Sequence, residues 1–297
     1  MLALCLEGSP DKMKSPATTT SVAPGTMVSP RSVRTSRSVT PWAVGTLALA
    51  LWASAALFAA YILVFYIGAV PAGTMQDWNK VLPRLYVPDA LPTTIAMAAH
   101  LVLGAILLLL GPIQFIGRLR QRAPSLHRWI GRVYGVSALG AGLGGLVFVL
   151  GRGTVGGPVM SIGFGLYGVL MALAATQTMR HAWCRRLDLH RAWAIRLFAL
   201  VIGSWLYRME YGLWLKLAGG IGHTRGFDGP FDLVMDFFFF VPNLIAAEML
   251  IRRGQSPPAP ALRRAGTVTL YAAAGVVALA TFLFGHFYWI PHILARF

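Results

Sequence analysis

From Thr40 to Met75 the chain carries no Asp, Glu, Lys or Arg. A run of that length exceeds the roughly 20 apolar residues needed to cross a hydrocarbon core. Within lipid, a helix is the structure that satisfies all of its backbone polar groups inside one segment. Similar runs recur along the sequence, at about 42–69, 91–116, 130–151, 157–180, 191–214, 230–251 and 267–290. The composition agrees: 56% of residues are hydrophobic and 12% charged, against roughly a quarter charged in soluble domains. The expected fold class is therefore all-α, a polytopic membrane helix bundle of about seven spans. Arg208, Glu210 and Asp236 interrupt the fifth and sixth.

A net charge of +16 would suit a nucleic-acid binder, but the placement of the arginines argues otherwise. Arg118, Arg120, Arg122 and Arg128, then Arg185, Arg186 and Arg191, then Arg252, Arg263 and Arg264 fall in alternate connections between apolar runs. Positive charge concentrates on the cytoplasmic side of membrane proteins, so the pattern predicts N-in and C-out in the cell's cytoplasmic membrane. The basic rim would meet anionic lipid headgroups, and no nucleic-acid partner is implied. Residues 1–40, rich in Ser, Thr and Pro, read as a disordered cytoplasmic tail before a helical domain over 41–297. Translation starting at Met1, Met13 or Met27 would leave that domain intact. Cys5 and Cys184 offer no metal-ligand spacing.

One short motif occurs twice. Gln114 is followed twelve positions later by Leu126-His127-Arg128-Trp129, and Gln177 by Leu189-His190-Arg191-Ala192-Trp193. Arg122 and Arg185 share the same offset of 63. The duplication predicts two parallel hairpins, spans two–three and four–five, related by an axis along the membrane normal.

Several polar residues fall where charge is costly. His100 lies about nine residues into the second span, roughly 13 Å deep, where an ionisable group usually faces a partner, a cofactor or the bundle interior. His127 and His190 stand at the entries of spans three and five. Arg128, Arg191 and the neighbouring tryptophans there also suit interfacial anchoring. Gln114, after Pro112, is placed to satisfy the carbonyl that proline frees, and Gln177 mirrors it. Arg208 and Asp236 are expected to pair in the outer third, with Glu210 sharing the network. Asn243 suits interhelical hydrogen bonding. His286 sits in an aromatic belt near the end of the last span. No phosphate loop, zinc helix or hydrolase triad is present, and the last span has no lysine for a retinal Schiff base.

Several stretches together resemble a known family. They are His100 with Gly104 and Gly111-Pro112-Ile113-Gln114-Phe115, then Leu126-His127-Arg128-Trp129-Ile130-Gly131-Arg132-Val133-Tyr134, then His190-Arg191-Ala192-Trp193-Ala194-Ile195-Arg196. In this order they are similar to the bacterial membrane family called domain of unknown function 2306, over about residues 95–250. Ala194 stands where that family commonly has Met. The resemblance implies a multi-pass helical membrane protein and carries no activity with it.

Three functional readings follow from the residues. One is a redox protein using haem b or a quinone, with His127 and His190 as an inner ligand pair and His100 with His286 as an outer one. A second is a transporter or binding protein for a small apolar or quinone-like ligand, centred on His100. The third is a lipid-interacting, assembly or sensory protein. No metal other than haem iron is implied.

Overall fold

The computed structural model describes residues 41–81, 84–252 and 260–297, and every regular element among them is helical. The segment 1–40 and its candidate start codons lie outside the described residues. Helix α1 (Pro41–Tyr61) runs on through a π-helical stretch, Ile62–Ile67. After the short α2 (Trp78–Val81) come α3 (Leu91–Gln114), α4 (Gly117–Arg122), α5 (Pro124–Arg152) and α6 (Gly157–Trp183). The remaining helices are α7 (Leu187–Leu217), α8 (Pro230–Phe238), α9 (Val241–Arg252), α10 (Pro260–Phe284) and α11 (Ile290–Leu294). Pro92, Pro124, Pro158 and Pro230 open α3, α5, α6 and α8, in the first turn, where a missing N–H costs nothing.

Six stretches among the described residues are long and apolar enough to cross a membrane: Pro41–Ile67, Leu91–Gln114, Pro124–Arg152, Gly157–Trp183, Pro230–Arg252 and Ala261–Leu294. The sequence reading of seven spans differs at α7. This helix has 31 residues, but Asp188, Arg191, Arg196, Arg208, Glu210 and Lys216 dilute its apolarity. Two other boundaries also moved. α5 and α7 begin before the expected spans, so His127 and His190 lie inside the first turns of helices rather than in the preceding loops. The sixth span breaks at Phe239–Phe240. Pro242 lacks the N–H that the Phe238 carbonyl would need, the Phe240 N–H turns to Phe237 O at 3.3 Å, and Asn243 Nδ2 donates to Phe239 O at 2.7 Å. The Asn243 bond is therefore local rather than interhelical.

Glycines set the spacing of the bundle. A Cβ at Gly144 of α5 would lie 2.8 Å from the Ala96 carbonyl oxygen of α3, and one at Gly142 would lie 3.1 Å from the Gly168 carbonyl of α6. Gly203 of α7 has the Phe239 carbonyl 2.7 Å from where its Cβ would be, and Gly163 of α6 abuts the Asp236 backbone still more closely. Such contacts allow the close van der Waals approach that holds helices together where lipid provides no hydrophobic drive. Gly163→Ala, which collides with backbone, should destabilise the purified protein by about 1–3 kcal/mol. Gly165→Ala, two residues away with nothing within 4 Å of the new methyl, should be neutral or slightly stabilising. Thermal unfolding in one detergent checks the contrast.

The C-terminal end docks on the connection after α1. Arg296 reaches Asp77 at 3.1 Å, Thr74 Oγ1 at 2.8 Å and Phe65 O at 3.2 Å. The Lys80 ammonium bonded to Asp77, with Arg296 beside it, holds that carboxyl below its ordinary range. A lowered native value makes the contribution present above the unfolded value of about 3.9 and lost as pH falls through the native one. Hydrogen-exchange protection of residues 293–297 should therefore fall on acidification below about pH 4. Asp77→Asn should show the loss already at neutral pH and little further change.

Candidate functional site

His100 is the tenth residue of α3 and faces α5. Its Nδ1 lies 2.8 Å from the Ala141 carbonyl oxygen. A carbonyl only accepts, so Nδ1 carries the proton. Room for the ring comes from Gly144 and Gly145, since a Cβ at Gly145 would stand 3.2 Å from Nδ1. With Nδ1–H committed to backbone, Nε2 is left as an acceptor, and among the described residues it has no hydrogen-bond partner.

The imidazole lines a cavity of about 40 Å³ with Phe58 and Ile62 of α1, Tyr167 of α6, and Ser204 and Arg208 of α7. At about 10–15 Å³ per water, such a space holds roughly three. Arg208 donates from Nη1 to the Ser204 carbonyl at 2.7 Å, and its guanidinium carbon stands 5.4 Å from the centre of the Phe58 ring. Tyr167 donates to Leu200 O at 3.0 Å. Arg208 is itself exposed, so the cavity has a polar edge at the side of the bundle.

The expected Arg208–Asp236 pair is not formed. Arg208 turns to Ser204 and Phe58, while both carboxylate oxygens of Asp236 are buried with no partner. Glu210 does not join Arg208 either, and its Oε2 is buried without a hydrogen bond. The pairing of His100 with His286 also fails, because His286 is exposed and stacks on Phe282 at 5.8 Å.

The duplicated motif gives two different structures. His190 Nδ1 donates to Thr178 O at 2.9 Å, tying α7 to the end of α6. His127 Nδ1 is buried and unpartnered, as is Gln114 Nε2. Gln114 therefore does not act as the expected clamp. Its Oε1 lies against Gly131, 3.5 Å from an ideal Cβ there, and near the same turn Trp52 Nε1 donates to the Leu109 carbonyl at 3.1 Å. Gln177 is half-buried, and Arg128 and Arg191 are exposed. His190 is within electrostatic reach of both His127 and His181.

His181, buried at 8% exposure with Nδ1 unpartnered, was missed from the sequence because it has no counterpart in the first copy of the motif. Its position four residues after Gln177, one helical turn on, was the available signal. Asp232 was missed too. It accepts from Tyr211 Oη at 2.7 Å, His223 Nδ1 at 2.7 Å, and the Thr224 and Gly229 N–H groups, each at 3.0 Å. No group of three or more His, Cys, Asp or Glu able to hold a metal ion occurs among the described residues.

Residues 97–251 match the profile of a family described as a predicted membrane protein, DUF2306. No curated protein and no solved structure matches the chain.

Proposed function

The chain belongs to the domain of unknown function 2306 family of membrane proteins, and we propose that it binds a small, largely apolar molecule in the cavity beside His100. One observation carries this reading: an acceptor from α3, His100 Nε2, and a cation from α7, Arg208, border the same space inside an apolar bundle. A neutral imidazole anchored through Nδ1–H accepts a hydrogen bond, and a guanidinium donates. The ligand they fit bears a hydroxyl for His100 and a second oxygen for Arg208. A quinol head meets both needs. The volume falls well below the roughly 300–1,000 Å³ of a whole-ligand pocket, so a quinol ring enters only as the lining side chains move apart, with its tail left in lipid.

A soluble short-chain benzoquinol, titrated by thermal shift in mild detergent, tests the reading. His100→Ala should weaken binding roughly five-fold, the equivalent of about one neutral hydrogen bond. Arg208→Gln should cost roughly ten-fold or more, since bonds to a charged group are stronger. Unchanged affinity in both variants would rule the cavity out.

A second reading, haem b ligation, has its own support. His190 is held through Nδ1 by a carbonyl, as metal-ligating imidazoles usually are, and His127 is within its electrostatic reach. A dithionite-reduced minus oxidised spectrum should then show Soret and alpha bands that vanish in His190→Ala. A colourless, folded protein from haem-replete cells excludes it.

The topology we propose makes α7 a seventh crossing, with the N-terminus in the cytoplasm, the C-terminus outside the cytoplasmic membrane and the basic rim on anionic headgroups. The parity of crossings makes this testable. Alkaline phosphatase fused after Phe297 should be active with seven crossings. With six crossings and the N-terminus inside, it should be inactive.

A further inference from the structure

We propose that Asp236 is a reversible proton-binding site inside the bundle, exchanging with the membrane face that carries the 218–229 loop. Asp236 lies in α8, is fully buried, and neither carboxylate oxygen has a hydrogen-bond partner. Its neighbour one turn earlier, Asp232, is equally buried but accepts four hydrogen bonds. The fold therefore stabilises a negative charge at one position and leaves the other bare.

The groups facing Asp236 supply no compensation. From its own helix the only ionisable neighbour in reach is Asp232, an anion. From α7 it is Tyr207, whose hydroxyl is likewise buried and unpartnered. Arg208 is engaged with Ser204 O and the Phe58 ring instead. From α6 the approach is made by Gly163, which has no side chain. On α9, Glu248 pairs with Arg196 and Arg252. An ionised carboxylate with no counter-charge is not sustained in such surroundings, whereas the neutral acid is. A metal ion in place of the proton would need further ligands, and no cluster of them is present among the described residues.

A route for the proton can be traced from residue to residue. His223, with a side chain 17% exposed, bonds to Asp232. Asp232 accepts from Tyr211, the Tyr211 and Tyr207 rings are 4.7 Å apart, and Tyr207 is in electrostatic reach of Asp236. Asp236 does not line the His100 cavity, and the two sites stand or fall separately.

The full-length protein in mild detergent is treated with dicyclohexylcarbodiimide, which adds to protonated carboxyls in apolar surroundings, and labelled peptides are found by mass spectrometry. Infrared spectra of the same samples report the carbonyl stretch of a protonated carboxylic acid. Label should appear on Asp236 and not on Asp232, and should form roughly tenfold faster at about pH 6 than at about pH 9. The infrared band should weaken in Asp236→Asn and vanish when Glu210→Gln is added, since Glu210 also carries a buried, unpartnered oxygen, and it should decline as pH rises. Asn has the shape of the neutral acid, so Asp236→Asn should keep the wild-type melting temperature. A wild-type spectrum with no such band at about pH 6, or a band unchanged in folded Asp236→Asn, overturns the proposal whether or not the reagent gains access. If Asp236→Asn fails to fold, Asp236 was not neutral, and the proposal is overturned as well.

Discussion

α3 can lie against α5 only because the facing positions of α5 carry so little side chain. Gly140, Gly144 and Gly151 each bring an α3 atom within 2.8 Å of where a Cβ would stand, and at Gly144 that atom is a backbone oxygen. The rest of the bundle follows from this approach. It brings the His100 ring to the Ala141 carbonyl, which fixes the proton on Nδ1 and leaves Nε2 as the acceptor. Gly142 on another face of α5 admits α6, Gly163 of α6 admits α8, and Gly203 of α7 admits the break at Phe239. Cohesion is thus dispersion between closely spaced backbones, and the site residues are held by that spacing rather than by ion pairs.

α7 shows how a helix with so many charges remains in such a bundle. Three of its four Arg and Lys side chains are dealt with locally. Arg196 pairs with Glu248 of α9 while its guanidinium carbon stands 4.7 Å from the Trp193 ring. Arg208 uses a carbonyl and Phe58, and Lys216 Nζ lies 5.3 Å from the Phe287 ring. Aromatic faces replace counter-ions here, at the cost of only modest attraction per contact. Glu210 receives no equivalent treatment. Its Oε2 is an unsatisfied buried oxygen on the same helix.

The helical class and the place of His100 inside a long helix were legible because they depend on local pattern and depth. Depth says nothing about rotation around a helix axis, and the pairings failed for that reason. Arg208 was expected to meet Asp236, but it is turned toward α1 and the Phe58 ring while Asp236 packs on α6. His286 points away from the bundle that holds His100. The twin motif was legible as a repeat of position and illegible as chemistry. Between the two copies the connection changes: α4 separates α3 from α5, whereas α6 turns almost directly into α7. Only the short turn lets His190 fold back onto a helix-end carbonyl, twelve residues earlier, and the first copy leaves His127 and Gln114 unbonded.

Eleven residues among those described carry such unbonded atoms, and six of them concern the sites above. Buried polar atoms in native proteins nearly always find partners, so exceptions call for a reason beyond folding. Gln114, His127 and His181 gather where α3 ends, α5 begins and α6 ends. Tyr207 and Asp236 lie where α7 meets α8, and Glu210 is on the same stretch of α7. Stability alone would have favoured apolar residues at all six positions, because an unpaired buried polar group is costlier than a packed aliphatic one.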